Sequence, residues 1–463
     1  MITGPTFEEM LHPSKIAPDV RARALRARRE NPLDPVNLFN ITWRNENDEV
    51  YHVVLPPALT GVDAPIVVIF ARDFPSGSHK VGAAYSCLLE KEMFGLVDPK
   101  VHTLVWPSTG NYGIGGAWVG GRMGCKSLVV LPEDMSRERF EMIESYGASI
   151  IKTPGCESNV KEIYDETHRL ALDPNTRILN QFSEMGNYRF HYHVTGNTVA
   201  ELAGELAERG IGNGKVAAFV SAMGSAGTIA AGDRLKQLFP NSKTVGLEPI
   251  QCPTLYNNGY GGHDIQGIGD KHVTWIHNVF NTDAMMCIDD MECKLGLQVF
   301  AEATGRETLV KRYGLDAALV EQLGPLFGIS GICNILGAIK TAKYYDLGKD
   351  EIIVTVATDS LDRYHSVMDD IAQAYGHLDE AATVGRVEGI FHGMRTDWIA
   401  EGTREARERW HNLKYYTWVE QQGKTVEELD AQRDPAWWVE HQQRVPEIDA
   451  RLAALREAEY TKA

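Results

Sequence analysis

Three loops of small residues give the strongest constraint on the fold of this chain, because each follows an apolar strand-like run and precedes a helical pattern. They span residues 76–80, 107–113 and 224–228. Alternation of apolar strands with helices is the pattern of a parallel sheet with crossover helices. Ligands on open parallel sheets lie at the carboxyl ends of the strands. The sequence therefore predicts an α/β protein whose three loops meet at one cleft.

The residue types in these loops fit a phosphate-bearing aldehyde. Lys80 lies directly before a helix, and a lysine amine forms a Schiff base once desolvation or neighbouring charge lowers its pKa. The loop from Gly224 offers backbone N–H groups and a helix N-terminus to an anion. Asn111, on the middle loop, is then free to hydrogen-bond a cofactor ring. Each feature alone is more often a surface lysine, a turn or a helix cap, but their joint order predicts a pyridoxal 5′-phosphate site.

These motifs resemble the cysteine synthase family, the fold-type II pyridoxal-phosphate enzymes that include cystathionine β-synthase. The resemblance spans residues 65–366 and implies a tryptophan synthase β-like fold, with two open parallel-sheet domains, the cofactor in the cleft between them, and a helical C-terminal extension. Further stretches that carry it are LPEDMSRER (131–139), NQFS (180–183), GLEP (246–249), IQGIG (265–269) and GISG (328–331).

The resemblance also implies roles for single residues. Lys80 matches the Schiff-base lysine, Asn111 the partner of the ring hydroxyl, and Ser330 the residue that faces the pyridine nitrogen. The phosphate cradle corresponds to Gly224, Ser225, Ala226, Gly227 and Thr228. The positions that bind the substrate carboxylate or form the wall of the active site correspond to Ser108, Thr109, Gln181 and Gly267.

The chain departs from the family pattern beside two of these motifs. Tyr112 stands where the family usually has a small hydroxyl residue, so we expect Tyr112 to contact the substrate and reshape its pocket. Lys80 is followed directly by Val81, without the arginine common in the family, and is preceded by an unusual His79. We interpret His79 as a packing or supporting residue and not as an acid or base.

The implied chemistry is β-elimination or β-replacement on a serine- or cysteine-like amino acid. After a substrate displaces Lys80, the free amine can act as a base at the α-carbon while the cofactor ring delocalises negative charge. Ser330 makes the ring a weaker electron sink than a carboxylate would, which favours loss of the β-substituent and an aminoacrylate intermediate. The alternatives are an ammonia-lyase or dehydratase of a hydroxy- or diamino acid, and a non-catalytic partner subunit that retains the fold. An intact Lys80 disfavours the last.

Composition disfavours several other classes of protein. The net charge of −17 argues against nucleic acid and anionic membranes as partners, since these bind clustered Lys and Arg. Seven scattered cysteines without Cys-x-x-Cys favour reduced thiols, and no apolar stretch is long enough to span a bilayer. His191 and His193 have metal-ligand spacing but no third ligand, so no metal is expected. We expect a cytoplasmic homodimer acting on a small amino acid.

The order of elements predicts four segments. Residues 1–62 form an extension packed on the large domain, 63–190 a smaller α/β domain with Lys80 and the asparagine loop, 191–382 a larger α/β domain with the phosphate loop, and 383–463 a helical extension. We expect the last segment to cover the core or a neighbouring subunit, because disordered tails are poor in aromatic residues. Its aromatic residues include Trp398, Trp410, Tyr415, Tyr416, Trp418, Trp437 and Trp438.

Overall fold

Strands from almost the whole length of the chain form the framework of the protein. The computed structural model describes residues 3–108, 110–156 and 159–460. Within these residues the strands are β1 His52–Leu55, β2 Ile66–Phe70, β3 Thr103–Pro107, β4 Lys126–Pro132, β5 Ser149–Thr153, β6 Thr176–Ile178, β7 Val216–Ala222, β8 Lys243–Pro249, β9 Ala284–Ile288, β10 Ile352–Ala357 and β11 Ile399–Glu401.

The strands pair into two sheets. The smaller sheet has four strands in the order β5-β4-β3-β6, and its neighbouring strands are parallel. The larger sheet has seven strands in the order β1-β2-β10-β7-β8-β9-β11. Its inner pairs are parallel, whereas the edge strands β1 and β11 pair antiparallel with β2 and β9. The predicted α/β class with two parallel sheets is therefore confirmed.

Helices connect the parallel strands, because a parallel pair cannot be joined by a short hairpin. None of the described helices is long and apolar enough to cross a bilayer. In chain order the helices are α1 Phe7–Leu11, α2 Pro18–Glu30, α3 Pro57–Thr60, α4 Lys80–Met93, α5 Asn111–Arg122, α6 Arg137–Ser145, α7 Val160–Leu170, α8 Met185–Arg189, α9 Gly196–Glu208, α10 Ala230–Leu238, α11 Thr254–Asn257, α12 Asp290–Ala301, α13 Ala303–Tyr313, α14 Ala317–Leu323, α15 Ile329–Tyr344, α16 His365–Tyr375, α17 Glu380–Arg386, α18 Arg404–Lys414, α19 Val426–Ala431, α20 Pro435–Gln442 and α21 Val445–Tyr460.

Shorter turns extend or link these helices. π-helical turns continue α8, α17 and α18, over Phe190–Thr195, Val387–His392 and Tyr415–Val419. The 3₁₀ turns are Pro13–Lys15, Pro35–Asn40, Val279–Asn281 and Leu361–Arg363.

The centre of the larger sheet fixes where the functional loops emerge. β2, β9 and β10 are buried along their whole length, as expected for strands covered on both faces. β10 lies between β2 and β7 and is parallel to both. The loops that follow β2, β7 and β10 therefore leave the sheet at the same end, which is the carboxyl end of these strands. These loops lead to Lys80, Ser225 and Asp359.

One strand lies in a different sheet from the one predicted. The sequence placed the apolar run before Lys80 in the smaller domain, but β2 pairs with β1 and β10 in the larger sheet. A fully apolar run fits the centre of any parallel sheet, so its partner cannot be inferred from the run itself. β1 and β11, from the two predicted extensions, also join this sheet. Sheet pairing thus crosses the predicted boundaries at residues 62 and 382.

The two terminal segments also pack on each other. The Asp449 carboxylate, on α21, accepts hydrogen bonds from the backbone N–H groups of Phe7 and Glu8, at 2.8 and 3.2 Å. Arg456 forms an ion pair with Glu9 at 2.9 Å. The start and the end of the described chain therefore form one structural unit on the core.

Candidate active site

The predicted lysine and the predicted phosphate loop meet. Lys80 is the first residue of α4 and is only 8% exposed. Its Nζ lies 3.1 Å from Ser225 Oγ, on the loop that follows β7. Ser225 Oγ also accepts a hydrogen bond from Asn187 Nδ2 at 3.0 Å. The amine is thus held by polar side chains in a buried position, which is where a lysine can serve as a nucleophile.

An arginine from far along the chain fixes the turn before Lys80. The fully buried Arg363 donates to the carbonyl oxygens of Ser76 and Gly77, the latter at 3.0 Å. Gly77 has a left-handed φ of 68°, and a Cβ there would lie 3.2 Å from Arg363 Nη1. The left-handed φ and this close approach both favour glycine at the turn. Sequence reasoning missed Arg363, since nothing in its local pattern connects it with residues 76 and 77.

The glycines of the predicted phosphate loop leave little room for a side chain. A Cβ on Gly227 would lie 2.0 Å from Asn187 Oδ1, and one on Gly224 would lie 3.0 Å from the carbonyl oxygen of Gly267. Ala226 adopts a left-handed φ of 58°. Helix α10 begins just after this loop, so the positive end of the helix dipole lies beside the loop and favours an anion there. The loop has the form of a phosphate cradle.

Asn111 connects the asparagine loop to the larger sheet. Its Nδ2 donates to Asp359 Oδ2 at 2.6 Å, just beyond the end of β10. The same carboxylate accepts from the Tyr364 hydroxyl at 2.8 Å, and Arg139 donates to that hydroxyl at 2.7 Å. Sequence reasoning assigned no role to this buried cluster. The LPEDMSRER stretch, which contains Arg139, was the one sequence signal that pointed to this cluster.

Several buried polar atoms at the predicted site have no protein partner in the described part of the chain. They are Asn111 Oδ1, Ser330 Oγ near the start of α15, and both carboxylate oxygens of Asp270. An unsatisfied buried polar atom costs about 1–3 kcal/mol. Together with the glycine cradle and the buried Lys80 amine, these atoms fit a polar ring that carries a phosphate. The residues present therefore fit pyridoxal phosphate.

Asp270 adds an unpredicted titratable group to this site. Its carboxylate is completely buried, and a Cβ on Gly224 would lie 3.6 Å from Asp270 Oδ2. Burial raises the pKa of Asp270 to about 7, and the positive charge of Lys80 opposes that rise. Sequence reasoning missed Asp270, although it directly follows the quoted IQGIG stretch.

Asp270 should make the stability of the cofactor-free protein depend on pH. Its pKa is 3.8 in an ordinary environment and about 7 in the folded chain. Between these values only the folded chain keeps the proton, so the free energy of unfolding falls as pH rises through this window and is constant above it. Asp270→Asn should not show this fall in the free energy of unfolding. The fall is on the order of 1.4 kcal/mol for each unit by which the two pKa values differ.

Urea denaturation of both proteins at about pH 5 and about pH 8 measures the difference. From the lower to the higher pH, we expect the free energy of unfolding to fall in the parent by more than in Asp270→Asn. Equal changes in the two proteins would contradict the raised pKa.

The expected carboxylate-binding residues differ in their surroundings. Ser108 Oγ accepts from the N–H groups of Gly110 and Gly113, at 2.9 and 2.7 Å, and so caps the start of α5. The Gln181 carbonyl oxygen accepts from Asn187 Nδ2 at 3.0 Å, which places Gln181 beside the phosphate loop. A Cβ on Gly267 would lie 3.8 Å from Asn111 Nδ2, which places Gly267 at the wall of the site. Thr109 lies outside the described residues.

Tyr112 lies in the core of the smaller sheet. It is 1% exposed, its ring packs edge-on against Trp106 with centroids 5.6 Å apart, and its hydroxyl donates to the Leu179 carbonyl oxygen at 3.1 Å. This placement does not support the expectation that Tyr112 contacts substrate. A tyrosine fills this core position because its hydroxyl finds a backbone partner there.

Substitution of Tyr112 should therefore affect stability more than specificity. Tyr112→Thr removes a buried ring, so we expect the free energy of unfolding to fall by about 3 kcal/mol. Tyr112→Phe, which loses only the bond to Leu179, should cost about 1 kcal/mol. Denaturant unfolding measures both values. An altered amino-acid preference with unchanged stability would instead place Tyr112 in the substrate pocket.

Comparison with known proteins agrees with this site. The family described as pyridoxal-phosphate dependent enzyme matches residues 72–359, which include Lys80, the loop 224–228 and Ser330. The chain therefore belongs to this family and is an enzyme that depends on pyridoxal phosphate. Its predicted resemblance to the cysteine synthases is confirmed by a relative, the probable cysteine synthase of Bacillus subtilis (strain 168), which is 30% identical over 293 residues, or 63% of this chain and 85% of that protein.

Solved structures show the same similarity. A hydrogen sulfide-producing enzyme from Fusobacterium nucleatum has a TM-score of 0.57 and 26% identity, and the match covers 68% of this chain and 95% of that one. An O-acetylserine dependent cystathionine beta-synthase from Helicobacter pylori has a TM-score of 0.56 and 25% identity, with coverage of 68% and 94%. The terminal segments lie outside the family match, which covers residues 72–359.

Proposed function

We propose that this enzyme catalyses β-elimination or β-replacement on a serine- or cysteine-like amino acid. The observation that carries the proposal is the buried Ser330 hydroxyl, which has no partner among the described residues and lies near the positive end of α15. The position that matches the partner of the pyridine nitrogen thus holds a neutral hydroxyl in place of a carboxylate. The names of the relatives, cysteine synthase, hydrogen sulfide-producing enzyme and cystathionine beta-synthase, support the same class of reaction.

In the site, Lys80 acts as the base, and the surrounding loops form the binding surface. When bound, the cofactor supplies a ring that withdraws electrons from the α-carbon of an attached amino acid. Lys80 Nζ removes the α-proton once the substrate has freed the amine. The loop 224–228 holds the phosphate, while Asn111 orients the ring edge. The burial of Lys80 and Asn111 excludes water from the reacting atoms.

Asp270 supplies a second proton carrier beside Lys80. With a pKa of about 7, this carboxyl is partly protonated at neutral pH, so it can donate a proton as well as accept one. The loss of a β-substituent needs a proton on the leaving group, and the addition of a thiol needs one removed. The exchange of protons between Asp270 and these groups is part of the proposal.

A product assay tests the reaction class. The purified holoenzyme is mixed in turn with O-acetylserine, serine, cysteine and 2,3-diaminopropionate, with and without sulfide. We expect spectral change and cysteine or sulfide as products from the O-acetylserine or cysteine arms. Turnover of diaminopropionate or serine alone, to a keto acid and ammonia, would identify an ammonia-lyase. A holoenzyme that changes its spectrum with none of them would indicate a non-catalytic subunit.

We also propose that the protein works as a cytoplasmic homodimer. Six buried cysteines carry free thiols, at positions 87, 125, 252, 287, 293 and 333, which suits a reducing compartment. The acidic net charge of −17 suits a protein that binds neither nucleic acid nor anionic lipid. Light scattering coupled to size exclusion measures the assembly, and a mass of one chain would contradict the dimer.

A further inference from the structure

An irregular segment borders the predicted phosphate loop. Residues 265–277, which the structure describes throughout and which we call the wall segment, form no helix or strand. The Gly269 N–H donates to the Met223 carbonyl oxygen at 2.8 Å, just before the loop. Thr274 Oγ1 donates to the Ser225 carbonyl oxygen at 2.9 Å, within the loop. The wall segment and the chain around the loop are therefore bonded at two points.

A buried lysine of the C-terminal segment holds the end of the wall segment. Lys414, the last residue of α18, is fully buried, and its Nζ donates to the carbonyl oxygens of Trp275 and His277, at 3.0 and 2.7 Å. The amine also donates to Gln432 Oε1 at 2.6 Å, and Gln432 Nε2 donates to the Trp275 carbonyl oxygen at 3.1 Å. Three oxygen acceptors match the three N–H donors of a lysine ammonium. Lys414 is thus bonded mainly to the backbone of the wall segment.

The residues on both sides of Thr274 are held in this way. Trp418 Nε1, also from the C-terminal segment, donates to the Val273 carbonyl oxygen at 2.9 Å. Val273, Thr274 and Trp275 are each at most 4% exposed. Buried backbone carbonyls need donors, and a segment that is not part of a helix or sheet has to find them elsewhere, for example on side chains. The position of Thr274 therefore depends on the C-terminal segment.

The bond from Thr274 orients one peptide of the predicted phosphate loop. The Ser225 carbonyl and the Ala226 N–H belong to the same trans peptide, in which the two groups point in opposite directions. Because the carbonyl points to Thr274, the Ala226 N–H points away from the wall segment. Ala226 has a left-handed φ of 58°, which a non-glycine residue adopts only when its neighbours hold it. Backbone N–H groups in turns of this kind bind anions.

We propose that Lys414 and Trp418 are positioning residues for the binding of the cofactor phosphate. They hold Thr274 in place, and the bond from Thr274 keeps the Ala226 N–H available to the anion. Both residues lie outside the part of the chain that the family model matches. The C-terminal segment therefore has a role in cofactor binding. The inference rests on the proposed role of the phosphate loop and not on the proposed amino-acid chemistry.

Variants of two buried lysines separate positioning from structural support. Lys414→Met removes donors to the wall segment, so we expect the dissociation constant of pyridoxal phosphate, measured by dialysis of the holoenzyme, to rise about tenfold. The dissociation constant of pyridoxal, which lacks the phosphate, should change little. Lys340→Met is the matched control, because Lys340 is 2% exposed and donates to the carbonyl oxygens of Cys287 and Asp397, outside the wall segment. This control should lose stability and keep both dissociation constants. An equal loss of affinity for both ligands in Lys414→Met would overturn the proposal.

A double-variant cycle tests whether Lys414 acts through Thr274. Thr274→Val removes the bond to the Ser225 carbonyl oxygen and leaves the C-terminal segment intact. We expect it to weaken the binding of pyridoxal phosphate, and not that of pyridoxal, by a factor similar to that of Lys414→Met. Adding Lys414→Met to Thr274→Val should then produce little further loss. Losses that multiply in the double variant would mean that the two residues act independently, and would overturn the proposal.

The ³¹P signal of the bound phosphate gives a readout that does not depend on affinity or activity. It should shift in Lys414→Met and in Thr274→Val but not in Lys340→Met. Trp418→Phe keeps an aromatic ring and loses only the donor to Val273, so it serves if Lys414→Met does not fold, and it should shift the signal as well. An unchanged signal in Thr274→Val and in Trp418→Phe would refute the inference.

A variant within the loop separates this inference from the assignment on which it rests. Thr228→Val should also weaken the binding of pyridoxal phosphate more than that of pyridoxal. If Thr228→Val shows this selective loss and Lys414→Met does not, only the role of the C-terminal segment is wrong. If neither variant shows it, the phosphate role of the loop is wrong as well. None of these measurements requires an amino-acid substrate, so failure here is distinguishable from failure of the proposed reaction.

Discussion

Replacement of Lys80 by alanine is expected to abolish covalent attachment of the cofactor and to lower turnover by about three orders of magnitude or more. The reason is that, in the proposed mechanism, Lys80 is both the anchor of the aldehyde and the base at the α-carbon. Borohydride reduction of the parent enzyme, followed by peptide mass spectrometry, should place the cofactor on the Lys80 peptide. In Lys80→Ala the corresponding peptide should carry no cofactor.

Lys80→Arg distinguishes the two contributions of the amine, its charge and its nucleophilicity. Arginine keeps a positive charge near Ser225 and Asp270, but it stays protonated in proteins and cannot attack an aldehyde. We therefore expect Lys80→Arg to be as inactive as Lys80→Ala. Activity within tenfold of the parent in Lys80→Arg would mean that charge alone is needed there.

Two other lysines among the described residues are buried, and they are the direct alternatives to Lys80 as the Schiff-base lysine. Lys340 Nζ donates to the carbonyl oxygens of Cys287 and Asp397, both at 2.8 Å. Lys414 Nζ donates to the carbonyl oxygens of Trp275 and His277, at 3.0 and 2.7 Å. These backbone acceptors hold both amines in structural bonds, so they are not available to an aldehyde. Reduced cofactor on either lysine would refute the role of Lys80.

The local sequence predicted the parts of the site that depend on backbone conformation. A glycine loop between a strand and a helix, such as 224–228, can form a cradle, because small residues leave the N–H groups accessible. Lys80, at the junction of loop and helix, is placed by the same local rule. The meeting of the two loops was predicted from the rule that ligands lie at the carboxyl ends of parallel strands, although the sequence placed the strand before Lys80 in the other sheet.

The parts that depend on distant packing were not predicted. Asp359 and Asn111 are 248 residues apart in the chain, and Arg363 and Ser76 are 287 apart, so no local pattern connects them. Tyr112 was placed by analogy with a binding position, but its ring is held by Trp106 in the core. A resemblance transfers the position of a residue, whereas the direction of its side chain is decided by neighbours that differ between chains.

Removal of the residues after Ala382 is expected to unfold or aggregate the protein, because the C-terminal segment covers apolar surface of the core. Trp410 and Trp418 are at most 2% exposed, and their Nε1 atoms donate to the carbonyl oxygens of Leu255 and Val273, both at 2.9 Å. β11 also completes the edge of the larger sheet beside β9. The truncated chain would expose this surface and an unpaired strand edge, both of which promote association.

A single substitution tests the same idea without removing the segment. Trp410→Ala should lower the free energy of unfolding by about 3–5 kcal/mol, the usual range for a buried tryptophan. Tyr416→Ala is the control, because Tyr416 lies in the same segment but is 59% exposed, and it should change stability by about 0.5 kcal/mol or less. Denaturant unfolding compares the two variants directly.

The truncated protein should lose activity as a consequence of lost structure and not of lost catalytic groups. Lys80, Asn111, Ser225 and Ser330 all precede Ala382, so the chemistry is encoded upstream of the cut. The cofactor-dependent absorption and the melting temperature should therefore fall together as the segment is shortened. A truncated protein that stays soluble, keeps the parent's assembly by light scattering and melts at the same temperature would show that the segment is an independent module, with a function separate from the cover proposed for it.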